Sequence, residues 1–340
     1  MQETIDIRSL TIELSPKELV AGLIPPPHFL DVRFENYIPD LNQPTQSLAV
    51  TELLDFAKYI NAPKKFWGRK SPVRKPGIYL DGGFGVGKTH LLASLWHAVD
   101  GEKVFGTFVE YTNLVGVLGF AQTVDALSQF KLVCIDEFEL DDPGDTVLMS
   151  TLLMRLVENG VFLAATSNTL PDRLGEERFA SEDFAREIQG LANHFVSLRI
   201  DGDDYRHRNL DSVTAPVQGD LISFLSGLNG DETRVGFNSF EEITSFLSTL
   251  HPSKYQKLVS NFDFYAIQGI STISDQAIGL RWVVFIDRLY DLDVPILYSG
   301  ESVANLFSVG LLKSGYRKKY RRALSRIAAL AELGKKHSVN

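Results

Sequence analysis

Cysteine is almost absent from this sequence, since Cys134 is the only one. A lone thiol cannot form an intrachain disulfide or a multi-thiolate metal site, which excludes a disulfide-stabilised secreted scaffold and a zinc module. Long apolar runs are missing as well, because no stretch approaches the roughly 18–20 residues that cross a bilayer. The opening residues, Met1 to Asp6, are polar and acidic, unlike those of a signal peptide. We therefore expect a soluble cytoplasmic protein that meets membranes only through a partner.

Basic charge is also scarce: 34 Lys and Arg residues stand against 43 Asp and Glu residues, for a net charge of -9. This argues against a protein whose whole surface holds phosphate backbones, so any contact with nucleic acid must be local. Two stretches are locally basic. They are the loop over residues 64–75 and a predicted C-terminal helix with Lys313, Arg317, Lys318, Lys319, Arg321, Arg322 and Arg326. For both stretches we expect a solvated surface, and a surface that binds phosphate or nucleic acid is the alternative.

The N-terminal region is predicted to be an arm followed by a helix. Residues 16–46 are rich in proline, which restricts φ and removes backbone donors, so they predict an extended arm laid over a body. Ser47 can cap a helix whose apolar residues recur with the helical period up to Ile60. Together with the basic linker that follows, we assign residues 1–76 to this region.

From Gly77 onward the pattern alternates between strands and helices, which is typical of a parallel sheet covered by helices. We assign residues 77–209 to this five-stranded α/β core. Its predicted strands are Gly77–Asp81, Val104–Tyr111, Leu132–Asp136, Val161–Thr166 and Phe195–Ile200, and its predicted helices span about 88–98, 112–128, 145–159 and 183–191. Residues 210–340 are assigned to a C-terminal mixed α/β and helical region. Its predicted elements are strands Phe264–Ile270 and Val294–Tyr298 and a helix over 276–291.

Residues 82–89 match the phosphate-binding loop G-x-x-x-x-G-K-[ST], and they lie between a predicted strand and a predicted helix, as that loop requires. They are Gly82, Gly83, Phe84, Gly85, Val86, Gly87, Lys88 and Thr89, and His90 is added to the candidate nucleotide contacts. Glycines let several backbone N–H groups converge on a phosphate, Lys88 can reach the β- and γ-oxygens, and the Thr89 hydroxyl can ligate Mg²⁺. The motif predicts a site for ATP and Mg²⁺, the alternative being a turn that binds nothing.

Two adjacent carboxylates, Asp136 and Glu137, end the apolar strand that contains Cys134. After a phosphate loop this pattern predicts a Walker B site, in which Asp136 would hold Mg²⁺ and Glu137 would polarise the attacking water. Solvated acids that cap a strand are the alternative. The next strand runs into Asn168, which is expected beside the phosphate loop and between the two Walker strands, where it could orient the water. An Asx-turn before Pro171 is the alternative for Asn168.

Two further pairs of residues are candidates for the nucleotide site. Phe34 and Tyr37 form an aromatic pair on the arm and are expected to pack near the adenine, with packing of the arm against the body as the alternative. Arg178 and Arg186 follow the strand that ends at Asn168, where an arginine could complete the γ-phosphate site of a neighbouring subunit. A solvated helix arginine is the alternative for each of them.

Taken together, these motifs resemble those of the ZapE family of AAA+ ATPases, and the resemblance covers almost the whole chain. In the first two thirds it is carried by Arg33–Pro39, Gln43–Gln46, Gly82–Thr89, Ile135–Phe138, Thr166–Pro171 and Asp204–Arg206. In the C-terminal region it is carried by Arg281–Asp291 and Arg322–Ile327. The phosphate loop and the D-E pair are common to many ATPases, whereas D-E-F, T-S-N-x-x-P and F-I-D-x-L-Y-D are more specific to this family.

The resemblance implies a P-loop fold of AAA+ type and a cytoplasmic ATPase connected with cell division. Such a protein would act near the tubulin-like division ring protein, at the inner face of the membrane, and could assemble as a homo-oligomer. The resemblance also implies that Arg178 acts on ATP bound to a neighbouring subunit, while Arg326 contacts nucleotide within its own chain. The sequence departs from the family pattern at Glu139–Gly144, which replaces a Q-V-T-D-type stretch, and at Ala323, where threonine is common.

Two functions of different classes remain open. The leading one is an ATP hydrolase of the ZapE type that couples Mg-ATP hydrolysis to remodelling or regulation of a protein partner in cell division. The alternative is a nucleotide-gated nucleic-acid-binding factor, such as a helicase loader, that uses the basic loop and the C-terminal helix. A small-molecule kinase would share the phosphate loop, but the Asp136–Glu137 pair, Asn168 and the large C-terminal region favour an ATPase.

Overall fold

The chain folds into two compact units in this computed structural model: residues 15–208 form one, and residues 1–14 join residues 209–340 in the other. We call them the P-loop unit and the C-terminal unit. The structure describes residues 4–13, 15–62, 74–83, 85–138, 143–169, 190, 192–202, 215–217, 221, 225 and 234–338. Over those ranges, no helix is both long and apolar enough to cross a bilayer.

Strands and helices are numbered in chain order. The strands are β1 (Thr4–Ile5), β2 (Gly77–Gly82), β3 (Lys103–Thr107), β4 (Leu132–Asp136), β5 (Phe162–Ser167), β6 (Phe195–Ile200), β7 (Val235–Ser239), β8 (Phe264–Ile270) and β9 (Ile296–Gly300). The helices are α1 (Pro16–Ala21), α2 (Pro44–Asn61), α3 (Lys88–Ala98), α4 (Phe108–Leu118), α5 (Phe120–Leu127), α6 (Pro143–Glu158), α7 (Phe240–Thr249), α8 (Tyr255–Val259), α9 (Gln276–Asp291), α10 (Val309–Lys313) and α11 (Arg317–Ser338).

The P-loop unit is built on a parallel sheet with the strand order β3-β4-β5-β2-β6. Every residue of β2 and β4 is buried, because α2 and α3 cover one face of the sheet and α4, α5 and α6 cover the other. β5 lies between β2 and β4, with Thr166 opposite Leu80 and Ala165 opposite Ile135. The predicted five-stranded parallel α/β fold is therefore confirmed. The C-terminal ends of β2, β4 and β5 meet at one edge of the sheet.

β3 is shorter than predicted because α4 begins inside the predicted strand. The Thr107 hydroxyl accepts a hydrogen bond from the Glu110 N–H at 3.3 Å, and the Glu110 carboxylate accepts one from the Thr107 N–H at 2.7 Å. This reciprocal capping box starts a helix, so the strand predicted over Val104–Tyr111 ends at Thr107. The helix predicted over 112–128 is divided at Gly119, whose φ of 82° terminates α4.

The proline-rich arm is less extended than predicted. Ser15 and Glu18 form a capping box that starts α1, and a short 3-10 turn follows at Phe34–Asn36. Proline is well suited to the first position of a helix, where its missing N–H would have no intrahelical partner. For this reason α2 begins at Pro44, one turn earlier than the start predicted at Ser47.

The C-terminal unit contains a second parallel sheet, with the strand order β1-β7-β8-β9. Residues of α7, α8, α9 and α11 form one buried cluster with residues of this sheet. α9 has the bounds predicted for it, and it turns Trp282, Phe285 and Leu289 fully into that core. Phe240 stacks on Trp282, with ring centroids 4.7 Å apart. β8 has the predicted bounds, β9 begins two residues later than predicted, and β7 is an additional strand.

The first residues of the chain belong to the C-terminal unit, although the sequence assigns them to the arm. β1 pairs with β7, and the buried Asn238 side chain holds the residues that follow. Its Oδ1 accepts hydrogen bonds from the Ile7 N–H at 2.9 Å and the Tyr265 hydroxyl at 3.0 Å, and its Nδ2 donates to Asp6 at 2.8 Å. A hydrogen-bonded ion pair with Arg8 holds the pKa of Asp6 below its usual range. Contacts between residues more than 200 positions apart in the chain leave no local pattern in the sequence.

A buried charge cluster joins α9 to α11. The Asp287 carboxylate pairs with Arg322 at 2.7 Å and with Arg326 at 2.5 Å. Arg326 also lies over the Tyr290 ring, 5.1 Å from its centroid. Burial by itself raises the pKa of Asp287, but the two guanidinium groups outweigh burial and hold the pKa below its usual value. The two C-terminal motifs of the family resemblance therefore meet in one cluster.

We expect Asp287→Asn to lower the free energy of unfolding by about 3 kcal/mol, because it removes the carboxylate that two buried guanidinium groups share. Denaturant unfolding checks this, with Glu332→Gln as the control, since it breaks only the exposed pair between Glu332 and Lys336 and should cost at most about 0.5 kcal/mol. The pKa of Asp287 is lower in the folded state than in the unfolded state, so its contribution should be present near neutral pH and lost as the pH falls through the folded pKa. Equal unfolding free energies for the two variants at neutral pH would contradict the expectation.

Candidate nucleotide-binding site

The phosphate loop runs from the end of β2 to the first turn of α3, and its backbone requires glycine at two positions. Gly85 and Gly87 have φ angles of 70° and 87°, in the left-handed region that disfavours other residues. At Gly87 a side chain is excluded for a second reason, since a Cβ there would lie 2.7 Å from the Tyr37 ring. The conformation of the loop thus depends on glycine both for its own backbone and for the close approach of the arm.

Lys88 and Asn168 are brought together at this loop. The Lys88 ammonium donates to the carbonyl oxygens of Gly82 and Gly83, at 3.0 and 2.5 Å, and to Asn168 Oδ1 at 2.9 Å. Asn168 reaches the lysine because it follows β5, which is the neighbour of β2 in the sheet. Asn168 therefore lies beside the phosphate loop, after the strand that lies between β2 and β4.

Thr89 and Asp136 form a second contact between the loop and the sheet. The Thr89 hydroxyl lies 3.0 and 3.2 Å from the two Asp136 carboxylate oxygens. The pKa of Asp136 is raised, because burial and the neighbouring Glu137 carboxylate disfavour its charge. Hydrogen bonds from Thr166 and Thr89 and the charge of Lys88 lower the pKa, but they do not outweigh the first two causes. A hydroxyl beside a carboxylate supplies the hard oxygen donors that Mg²⁺ prefers, and Mg²⁺ shared with phosphates needs only one or two protein ligands. The pair therefore fits this ion.

Thr166, at the end of β5, completes the group but is not among the residues predicted for the site. Its hydroxyl donates to Asp136 Oδ1 and accepts a hydrogen bond from the Glu137 N–H at 3.1 Å. Its carbonyl oxygen accepts another from the Phe138 N–H at 2.7 Å. The sequence signal that could have revealed Thr166 is its position two residues before Asn168, on the strand expected to neighbour the Walker B strand.

The arm contacts the phosphate loop and the start of α3: Tyr37 of the arm bonds to the loop, and His90 of α3 packs against Tyr37. The Tyr37 hydroxyl donates to the Val86 carbonyl oxygen at 3.1 Å, and its ring meets the His90 ring at an angle of 62°, with centroids 5.4 Å apart. His90 Nε2 lies 3.2 Å from the Arg33 carbonyl oxygen, and burial lowers the pKa of His90 despite this hydrogen bond. Phe34 is instead buried in the core cluster that contains Val86. Tyr37 contacts the backbone of the loop, whereas Phe34 supports the arm from inside.

Charged residues on β6 and just after it form ion pairs at the end of β2, the strand that leads into the phosphate loop. The Asp81 carboxylate, in β2, is buried and pairs with Arg199 at 2.8 Å, and Arg199 also pairs with Asp201 at 3.0 Å. The Gln46 side chain, from α2, donates to the Asp201 carbonyl oxygen at 2.8 Å. These contacts anchor the start of the loop, and the sequence motifs do not indicate them because they join segments far apart in the chain.

Several predicted residues lie outside the described part of the chain. They are Phe84, Arg178 and Arg186, together with the helix predicted over 183–191 apart from residue 190 and the basic loop apart from residues 74 and 75. Arg326 is described, and it belongs to the C-terminal unit, where it pairs with Asp287. The nucleotide contacts expected of Arg178 and Arg326 stay predictions.

Comparisons of the sequence with known proteins give one family. A family model described as AFG1-like ATPase matches residues 14–220 and 230–336. The cell division protein ZapE of Escherichia coli strain K12 is 31% identical over 163 residues, which are 43% of this chain and 43% of that protein. An uncharacterized protein of Schizosaccharomyces pombe is 23% identical over 316 residues, which are 76% of this chain and 69% of that protein. The match thus spans less than half of the length of the Escherichia coli relative.

Among solved structures, AMPPCP-bound DnaA from Aquifex aeolicus is similar, with 12% identity over 93% of this chain and 98% of that chain and a TM-score of 0.39. The family model, in contrast, matches by sequence, and it covers the phosphate loop, strands β2 and β4 and most of the C-terminal unit. Since this match extends over far more than half of the residues, the chain belongs to the family of AFG1-like ATPases.

Proposed function

We propose that the protein hydrolyses ATP with Mg²⁺ and couples the cycle to remodelling or regulation of a protein partner. The observation that supports this is the convergence of Lys88, Asp136 and Asn168, which follow or end three neighbouring strands, at one edge of the sheet. A cation for the phosphate oxygens, a hydroxyl and carboxylate for a metal ion and an amide for the attacking water are the groups that phosphoryl transfer to water needs. Membership of the AFG1-like ATPase family supports the same activity.

Each of these side chains has a separate role in the proposal. Lys88 and the N–H groups of the loop bind the β- and γ-phosphates, while Thr89 and Asp136 hold Mg²⁺. When bound, the metal ion neutralises charge on the phosphate oxygens. Glu137, half-buried beside Asp136, takes the proton of the attacking water as general base. Asn168, already bonded to the lysine, orients that water.

Residues outside this group complete the proposed site. Tyr37 touches the loop backbone, so the adenine contact is assigned to its ring, with Phe34 supporting the arm. Arg178 is assigned to ATP bound by a neighbouring subunit, which makes the active form a homo-oligomer.

The process and the partner are proposed from the relatives. The Escherichia coli relative is called a cell division protein, and the resemblance to the ZapE family implies action near the division ring. We therefore assign the protein to cell division, with ATP and ADP as ligands and the tubulin-like ring protein as partner. Its proposed location is the cytoplasm, at the inner face of the membrane where division takes place.

A second candidate function, contact with nucleic acid, is favoured by the basic C-terminal helix. Two of its arginines, Arg322 and Arg326, turn inward to the buried charge cluster. Three other cations of the stretch, Lys313, Arg317 and Arg321, are exposed. Basic residues in the first turn of α11 also oppose its macrodipole, so a bound polyanion would relieve an unfavourable arrangement of charge.

Lys88→Ala and Glu137→Gln should separate nucleotide binding from turnover. Lys88→Ala removes the cation at the phosphates, so the affinity for ATP should fall by about 100-fold or more. Glu137→Gln keeps the shape of the side chain and the Asp136 carboxylate but weakens the base, so ATP should still bind while turnover falls by about 100-fold or more. Titration with a fluorescent ATP analogue measures binding, and phosphate release measures turnover.

The matched controls for these variants are exposed residues of the same unit. Lys58→Ala and Glu158→Gln each break only a surface ion pair, with Asp55 and Arg155 respectively, and should leave binding and turnover unchanged. Undiminished ATP affinity in Lys88→Ala, or undiminished turnover in Glu137→Gln, would show that the role assigned to that residue is wrong.

Arg178 should act across a subunit interface, so turnover per chain should rise with protein concentration. Lys88→Ala chains keep Arg178 but cannot bind ATP, whereas Arg178→Ala chains bind ATP but lack the arginine. Mixing the two should restore activity, because a shared interface then contains one complete site. The same mixture with Arg186→Ala tests the other candidate arginine. If the mixtures stay inactive and light scattering shows that the protein is monomeric, the expectation is wrong and Arg178 acts only within its own chain.

Charge reversal of exposed cations tests the second candidate function. If nucleic acid is a partner, retention of labelled single-stranded DNA should fall as salt rises and be lost in the double variant Arg317→Glu, Arg321→Glu, while ATP turnover is unchanged. Lys335→Glu, exposed at the far end of the same helix, is the control. If the parent protein does not retain DNA, or if the double variant retains it equally well, the second candidate function is wrong and the partner is a protein.

A further inference from the structure

We infer that Thr166 is a positioning residue for ATP hydrolysis, because its buried hydroxyl sets the direction of Glu137 and joins that residue to Asp136. The inference rests on the proposed function, since it concerns the same site. It is carried by three hydrogen bonds of Thr166, by the backbone conformation of Glu137 and by the burial of the hydroxyl.

The Thr166 hydroxyl acts both as a hydrogen-bond donor and as a hydrogen-bond acceptor. It donates to Asp136 Oδ1, and it accepts a hydrogen bond from the Glu137 N–H at 3.1 Å. A hydroxyl offers a donor and an acceptor in one small group; valine, which has the same shape, offers neither, and serine offers both. Thr166 is 2% exposed, so water cannot replace either bond without opening the site. Loss of the hydroxyl would leave buried polar groups unsatisfied.

Glu137 lies in a backbone conformation that needs this support. Its φ of 55° falls in the left-handed region, which costs a residue other than glycine about 1–2 kcal/mol. β4 ends at Asp136, and the next two N–H groups, those of Glu137 and Phe138, both bond to Thr166. The direction of the Cα–Cβ bond of Glu137 depends on this turn, so the bonds to Thr166 decide where its carboxylate points.

The consequence should fall on turnover more than on nucleotide binding. A general base acts only within hydrogen-bond reach of the proton that it takes, so a small change in its direction lowers the rate. The phosphates are bound in this proposal by Lys88 and the loop, and Asp136 keeps its hydrogen bond from Thr89 when Thr166 loses its hydroxyl. A threonine that only fills space would behave differently, because Thr166→Val keeps the branched shape and packing alone predicts little change.

The test compares Thr166→Val with Thr166→Ser. We expect Thr166→Val to lower kcat by about 10-fold or more while the affinity for ATP changes by less than about threefold. Thr166→Ser keeps the hydroxyl and should stay within about threefold of the parent in both quantities. Amide hydrogen exchange at Glu137 is a readout that needs no turnover. Its protection should fall by about 10-fold or more in Thr166→Val, where the N–H has lost its acceptor, and persist in Thr166→Ser.

Any other result would contradict either the positioning role of Thr166 or the proposed ATPase activity on which that role rests. Undiminished kcat in Thr166→Val, equal losses of kcat and ATP affinity, or no rescue by serine would overturn it. If Thr166→Val does not fold, Thr166→Ala takes its place; if neither folds while Thr166→Ser does, the hydroxyl serves folding and the inference is wrong. A parental chain without ATP turnover would refute the proposed function instead, and exchange at Glu137 would then decide the positioning role alone.

Discussion

The parallel pairing of β5 with β2 on one side and β4 on the other is the constraint on which the candidate site depends. Lys88 and Asn168 are 80 residues apart in the chain, and Thr89 and Asp136 are 47 apart, yet both pairs lie within hydrogen-bond distance. Because the strands run in the same direction, the polar residues at their C-terminal ends collect at one edge. A slip of β5 by one residue would turn Thr166 to the other face of the sheet and separate these groups.

Among the charged groups at this edge, the Asp136 carboxylate is buried, whereas Lys88 and Glu137 are half-buried. Asp136 is buried, and two neutral hydroxyls, those of Thr89 and Thr166, take the place of solvent around its carboxylate. Neutral donors stabilise the carboxylate without adding a net charge, and the Lys88 ammonium nearby is bonded to the loop and to Asn168. The result is a group of opposite charges kept a short distance apart, which suits a site that receives a charged ligand.

In the C-terminal unit, two sequence motifs that are separate in the chain form one cluster of charged side chains. Asp287 belongs to one motif and Arg322 and Arg326 to the other, and the packing of α9 against α11 turns all three into a single buried cluster. The same unit takes in the first residues of the chain through Asn238. The polypeptide therefore passes between the two units twice, near residue 14 and near residue 208, so two covalent connections join them.

Features that depend on neighbours in the chain were readable from the sequence: the phosphate loop, the buried strands β2 and β4, and helix α9 with its apolar face. Consecutive residues specify these features through turn chemistry and the period of apolar side chains. The early start of α4 at the capping box of Thr107 was also encoded locally, but the apolar run concealed it. By itself the sequence determined the order of these motifs along the chain and predicted that Lys88 and Asp136 belong to a nucleotide site. Only the tertiary structure decided that Thr166 bridges Asp136 and Glu137, that Arg326 turns inward, and that β1 joins the C-terminal sheet, because these contacts arise from strand register and helix packing between residues far apart in the chain.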